Sequence, residues 1–166
     1  MSIIVEDGTA KVDSETYISV TDADTFFANR GFSLWATLST AEKEQALRRA
    51  TDYLEFTYRT RWNGVQVNST QALGWPRINV PHPSGVGLYP SISIPPEVIK
   101  ANAELAYRAA GGELLGDVKA PVLSETVGPI SVTYDRAAVR VTRYPVVDRL
   151  LAPLLFGMGN SSLLRS

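Results

Sequence analysis

The sequence contains no cysteine, which excludes disulfides, thiolate metal sites and cysteine nucleophiles. It contains one histidine, His82, set between Pro81 and Pro83. A catalytic imidazole needs an orienting partner and a sheltered site. No acid lies near His82 in sequence, so a surface loop position is expected for it. Charge of one sign is also scarce: 16 Lys and Arg stand against 17 Asp and Glu, a net charge of −1. Dedicated nucleic-acid binders carry a basic excess because phosphate contacts dominate their affinity, and the overall balance shows none. No apolar run approaches the ~20 residues of a membrane span. The N-terminus turns acidic after five residues, so no secretory signal is read there; the chain suits a reducing cytoplasm.

Motifs that carry chemistry are equally sparse. There is no H-E-x-x-H, G-x-S-x-G or EF-hand pattern, and Gly85-Val-Gly87 lacks the strand-to-helix context and the lysine of a phosphate loop. Asp22 with Asp24, and Glu42 with Glu44, are carboxylate pairs, but each falls at an expected helix start, where the dipole already accounts for them. The expectation is a protein that is not an enzyme, with no catalytic residue, metal or cofactor.

What is present is an ordinary globular composition: 166 residues, 45% hydrophobic and 20% charged. That fits one domain able to bury roughly 70% of the surface of its unfolded chain. Charge is polarised along it. Glu6, Asp7, Asp13, Glu15, Asp22 and Asp24 face only Lys11 in residues 1–24, whereas Arg136, Arg140, Arg143, Arg149 and Arg165 face Asp135 and Asp148 in residues 134–166. These are two solvated surfaces, or the two ends of a contact between copies.

Periodicity predicts a mainly α fold: a small bundle of about four helices with one β-hairpin, a long Pro-rich loop and flexible terminal segments. Residues 1–18 read as an extended arm. A first helix starts near Thr21, capped by it, and ends before Gly31 at C′. The second spans about 40–59, opened by the capping box Ser39-Thr-Ala-Glu42 and striped by Leu47, Ala50, Leu54 and Tyr58. Asn63-Gly64 marks a turn, and 68–73 one short helical turn. Six prolines and two glycines between Pro76 and Pro96 predict a loop over 76–96, whose length points to binding or assembly. A third helix opens at Pro95-Pro96 and stops at Gly111-Gly112. A hairpin over 121–135 turns at Gly128-Pro129. A fourth helix covers about 145–155, kinked by Pro153. Residues 19–155 thus form the domain, and 156–166 a flexible tail reaching ~36 Å.

The strongest nucleic-acid candidate is Tyr58-Arg59-Thr60-Arg61-Trp62, since arginine can meet phosphate and an exposed ring can stack on a base. The competing reading has Tyr58 and Trp62 completing the core, with the arginines solvated or paired to Glu55. Trp35, Trp62 and Trp75 are expected core or interface anchors.

The order of short motifs resembles a bacteriophage family. They are Tyr17-Ile-Ser-Val20, Trp35-Ala-Thr-Leu-Ser-Thr-Ala-Glu42-Lys43, Ala50-Thr-Asp-Tyr-Leu54, Arg61-Trp62, Gln71-Ala-Leu-Gly-Trp-Pro-Arg77, Ile94-Pro-Pro96, Ala103-Glu-Leu-Ala106, Val127-Gly-Pro-Ile-Ser-Val132, and Tyr144-Pro145 through Leu151-Ala-Pro-Leu-Leu155. The resemblance covers about 15–155, to proteins often labelled DnaT-like single-stranded DNA-binding and similar to head–tail connectors (adaptors, head-completion proteins) of tailed phages. It implies a non-enzymatic virion subunit, made in the host cytoplasm. Copies form a ring, commonly of twelve, between portal and tail at the head–tail junction, which extends the channel for double-stranded DNA without sequence specificity. The implied partners are the portal protein, copies of itself and a tail or head-closure protein, with no membrane. The alternative is a replication accessory protein that binds single-stranded DNA, as the label says; a tail-completion protein is a third reading. Under the connector reading, Arg48, Arg49, Arg59, Arg61 and Trp62 are candidate channel or inter-subunit contacts. The tail's composition makes Phe156, Met158, Leu163, Leu164 and Arg165 candidate portal-docking residues.

Overall fold

The computed structural model describes residues 2–115, 124–127, 130–133 and 143–157. It is mainly helical: α1 (Val20–Ala28), α2 (Ser33–Ala36), α3 (Thr40–Tyr58), α4 (Pro96–Gly111) and α5 (Pro145–Leu151), with two short antiparallel ribbons. Helix α3 forms as its sequence dictates. Ser39 Oγ accepts from the Glu42 amide while the Glu42 carboxylate accepts from the Ser39 amide at 2.8 Å, so both ends of the capping box close. Leu47, Ala50, Leu54 and Tyr58 are all buried, joined by Ala46, Thr51 and Tyr53. That stripe packs chiefly against α4, whose alanines 101, 103, 106 and 109 are buried and let the two helices approach closely. Helix α5 covers the other flank of α4. At Pro153 it tightens into a single 3-10 turn, Ala152–Leu154, because proline cannot continue the α ladder.

The start of α1 differs from the expectation. Its cap is Ser19, whose Oγ accepts from the Asp22 amide at 3.0 Å, and Thr21 lies inside the first turn. Its end is as expected: Phe32 N donates to Phe27 O, and Gly31 N to Ala28 O, with Gly31 at φ +71°. This is a Schellman closure that a left-handed glycine permits. The single turn α2 was not expected; four residues carry no periodicity, yet it drives Trp35 into the core.

Residues 2–18 do not stand off as an arm. They close into a loop around Glu6, whose carboxylate accepts from the amides of Gly8, Ala10 and Lys11 (2.9, 3.0 and 2.9 Å) and from the Ser14 hydroxyl (3.1 Å). Tyr17 and Ile18 are buried. Gly8, at φ +103°, is required there, because a Cβ would stand 2.2 Å from the Ile92 carbonyl oxygen.

The 76–96 stretch is likewise more structured than a loop. Arg77–Ile78 (β2) pairs with Val65–Gln66 (β1), after a cis Trp75–Pro76 peptide. Pro81 bridges Leu88, and Val80 and Tyr89 plug the core on either side of the exposed tip. A turn, not a helical turn, occupies 68–71. The expected hairpin is present as β3 (Ser124–Val127) and β4 (Ile130–Thr133), with Val127 opposite Ile130.

Candidate nucleic-acid interface

Helix α3 runs without a break into a 3-10 turn, Arg59–Arg61, that carries the basic-aromatic run. The rings turn inward. Tyr58 and Trp62 are 1% and 4% exposed, and Trp62 meets Trp75 edge to face at 5.9 Å. Burial, then the hydrogen bond to Asp148 (2.7 Å), pushes the Tyr58 hydroxyl well above its ordinary pKa. Neither ring offers a face to a base, so the competing reading of this run describes its aromatics.

Beneath the turn lies a buried polar knot. The Tyr17 hydroxyl donates to Glu55 Oε1 at 2.6 Å, the Gly74 amide donates to the same oxygen at 2.9 Å, and the Trp75 amide donates to the Tyr17 hydroxyl at 3.2 Å. Burial, reinforced by the Glu55 charge, raises the Tyr17 pKa well above its usual value. Glu55 Oε2 reaches up to Arg59 at 3.6 Å.

The arginines therefore separate by environment. Arg59 has about half of its side chain in solvent beside that one ion pair. The Arg61 guanidinium lies 5.6 Å from the Tyr58 ring centroid. Arg48 is held by Glu15 through two bonds (2.7 and 3.1 Å), with Glu44 at 3.7 Å; it fastens the N-terminal loop to α3. Arg49 is exposed beside Asp52, Phe56 and Glu113. Burial raises the Asp52 pKa. Eleven residues of helix put Arg48 roughly 16 Å from Arg59, so the five predicted contact residues form two groups. Arg77 is buried and donates to the carbonyls of Asn63, Gly74 and Gly64, with its pKa lowered by burial; it is a pin for the 63–77 region.

Sequence reasoning missed the neighbours of the Arg59–Arg61 turn. The Tyr58–Asp148 bond ties α5 to the end of α3, and Arg149, next on α5, is exposed. Phe156 N donates to Arg61 O at 2.7 Å and Asn63 N to Leu154 O at 2.9 Å. Phe156, expected to dock on a portal, is 80% exposed at this same place. Met158, Leu163, Leu164 and Arg165 lie outside the described residues, as do Arg136 and Arg140.

Elsewhere, an open pocket of about 430 Å³ beside α1 and α2 is lined by Phe27, Phe32 and Trp35. Its cation, Lys43, is paired to Asp24 at 2.9 Å. His82 sits on the exposed loop, its Nδ1 2.7 Å from Ser84 Oγ. Among the described residues no group of three or more His, Asp or Glu could hold a metal ion, and no helix is long and apolar enough to cross a membrane.

A family model described as "Putative DnaT-like ssDNA binding protein" matches residues 1–166. No curated protein and no solved structure matches the chain.

Proposed function

Because the chain belongs to the DnaT-like ssDNA-binding family, whose model spans its whole length, we propose that it is a non-catalytic protein that binds single-stranded DNA through phosphate contacts. The observation that carries this reading is the turn that follows α3, where Arg59, about half in solvent, and Arg61 stand on one 3-10 turn. Guanidinium groups there can meet phosphates without displacing a core ring. With a net charge of −1 the contact is local, so modest affinity and strong salt dependence are expected. Fluorescence anisotropy of a labelled oligo(dT) between 50 and 300 mM KCl tests it. Binding should weaken steadily with salt, by about 0.7 log units of affinity per log unit of salt for each phosphate contact. The double variant Arg59→Gln/Arg61→Gln should bind more weakly and with a shallower slope. No binding by the wild type at 50 mM KCl would sink the reading.

A second reading, the head–tail connector with its ring of copies, portal and tail partners and virion location, is favoured by a different observation. Val86, Leu88 and Ile92 are 80%, 57% and 75% exposed within one loop, and Phe56 and Leu115 line one surface recess at 77% and 48%. Large apolar side chains grouped in solvent mark surfaces that other proteins cover. In this reading they meet neighbouring subunits, and DNA passes along the ring without being gripped. Light scattering of the purified protein with and without portal protein decides it: a single-chain mass that ignores the portal would discard the connector.

A further inference from the structure

We infer that Phe156 is the stacking platform of the DNA site: its ring takes a base of single-stranded DNA while Arg61, beside it, holds an adjoining phosphate. This deepens the single-stranded DNA reading and rests on it.

The argument starts from the backbone. Trp62 and Leu155 form an isolated antiparallel bridge, closed by Asn63 N donating to Leu154 O at 2.9 Å and Phe156 N donating to Arg61 O at 2.7 Å. Opposed residues in an antiparallel pair put their side chains on the same face, and successive pairs alternate between faces. Trp62 and Leu155 are 4% and 1% exposed, so their pair points into the core. Phe156, next after Leu155, turns its ring the other way, 80% exposed, and Arg61, the last residue of the 3-10 turn, meets it through its carbonyl.

The result is a basic-aromatic pair of the kind the sequence places at Arg61-Trp62, with the aromatic supplied instead by a residue 94 positions further along the chain. The guanidinium is oriented by the Tyr58 ring beneath it, and Phe156 is anchored by its own amide, so little ordering is needed on binding. A flat apolar ring tied through its backbone to a turn that carries Arg59 and Arg61 suits a ligand that is both planar and anionic. An apolar protein surface would gain from the ring but not from the charges, whereas a nucleotide uses both.

The test compares a labelled oligo(dT) with an abasic oligonucleotide of the same length and charge, by anisotropy. The proteins are the wild type, Phe156→Ala, Phe156→Tyr and Phe156→Leu. Base–aromatic stacking predicts that Phe156→Ala weakens oligo(dT) binding about tenfold or more. Its abasic affinity and its salt slope should match the wild type. Phe156→Tyr should restore oligo(dT) binding and Phe156→Leu should not. Thermal melts should coincide, since the ring lies outside the core. Equal loss on both oligonucleotides, no loss on either, or rescue by Phe156→Leu would overturn the platform while leaving the DNA-binding reading intact. A wild type that binds neither oligonucleotide would overturn both.

Discussion

Asn102, in the middle of α4, is fully buried, and its position is decided by two hydroxyls. Thr16 Oγ1 donates to its Oδ1 at 2.8 Å, and its Nδ2 donates to Thr51 Oγ1 at 3.0 Å. One side chain thus ties the N-terminal loop, α3 and α4 together. Asn102→Ala should cost about 1–3 kcal/mol in urea unfolding, because two buried hydrogen bonds are lost while the Thr51 and Thr16 hydroxyls keep the carbonyls of Leu47 and Ile18. Gly74 is as sharply constrained for another reason: a Cβ there would lie 2.9 Å from Trp62 Nε1 and 3.2 Å from Glu55 Oε1. Gly74→Ala should therefore destabilise by roughly 1–3 kcal/mol. The Glu15–Arg48 pair sets a pH dependence. The Arg48 hydrogen bonds, helped by the Ile4 amide, hold the Glu15 pKa below its ordinary 4.5. A carboxyl whose pKa is depressed on folding contributes stability above its unfolded pKa and loses it as pH falls through the folded value. Glu15→Gln should thus be less stable than wild type at pH 7, by under about 1 kcal/mol for so exposed a pair. The difference should shrink as unfolding is repeated toward pH 3.

Among the elements, legibility follows period and length. Helix α3 was readable end to end because nineteen residues give the stripe several repeats and the capping box a place to start. Leu54, on that stripe, is fully buried, so Leu54→Asp should abolish the cooperative thermal transition. The Schellman glycine of α1 and the proline opening of α4 were readable for similar local reasons. Three features were not. The α1 cap went to Ser19 over Thr21, a choice two residues wide that only the chain's entry angle makes. The N-terminal loop is organised by a buried carboxylate, Glu6, gathering amides from its own loop, and acidic residues in a short stretch read as solvated surface. The β1–β2 ribbon pairs only two residues on each strand, too few to alternate visibly, and prolines around it give the signature of a loop.

At the scale of the whole molecule, the site was half legible. The basic turn after α3 could be found in the sequence, but its aromatic partner could not, because the antiparallel bridge between Trp62 and Leu155 joins segments 93 positions apart. What the fold does with charge and what it does with exposed apolar surface are then separable. Arg59 and Arg61 share the turn that follows α3, while Val86 and Leu88 project from a loop tip that contains no Lys or Arg. The variant Val86→Asp/Leu88→Asp should consequently keep the wild-type melt, since both side chains are already in solvent, and keep oligo(dT) affinity within about twofold, because an exposed charge is screened beyond roughly 8–10 Å at physiological salt. If the wild type scatters light as a multiple of 18.1 kDa, the same variant should return it to one chain, since two carboxylates would have to be desolvated in any contact the tip makes. A larger loss of DNA affinity would instead put the strand across the loop, and the interface would have to be moved from Arg59, Arg61 and Phe156 to that tip.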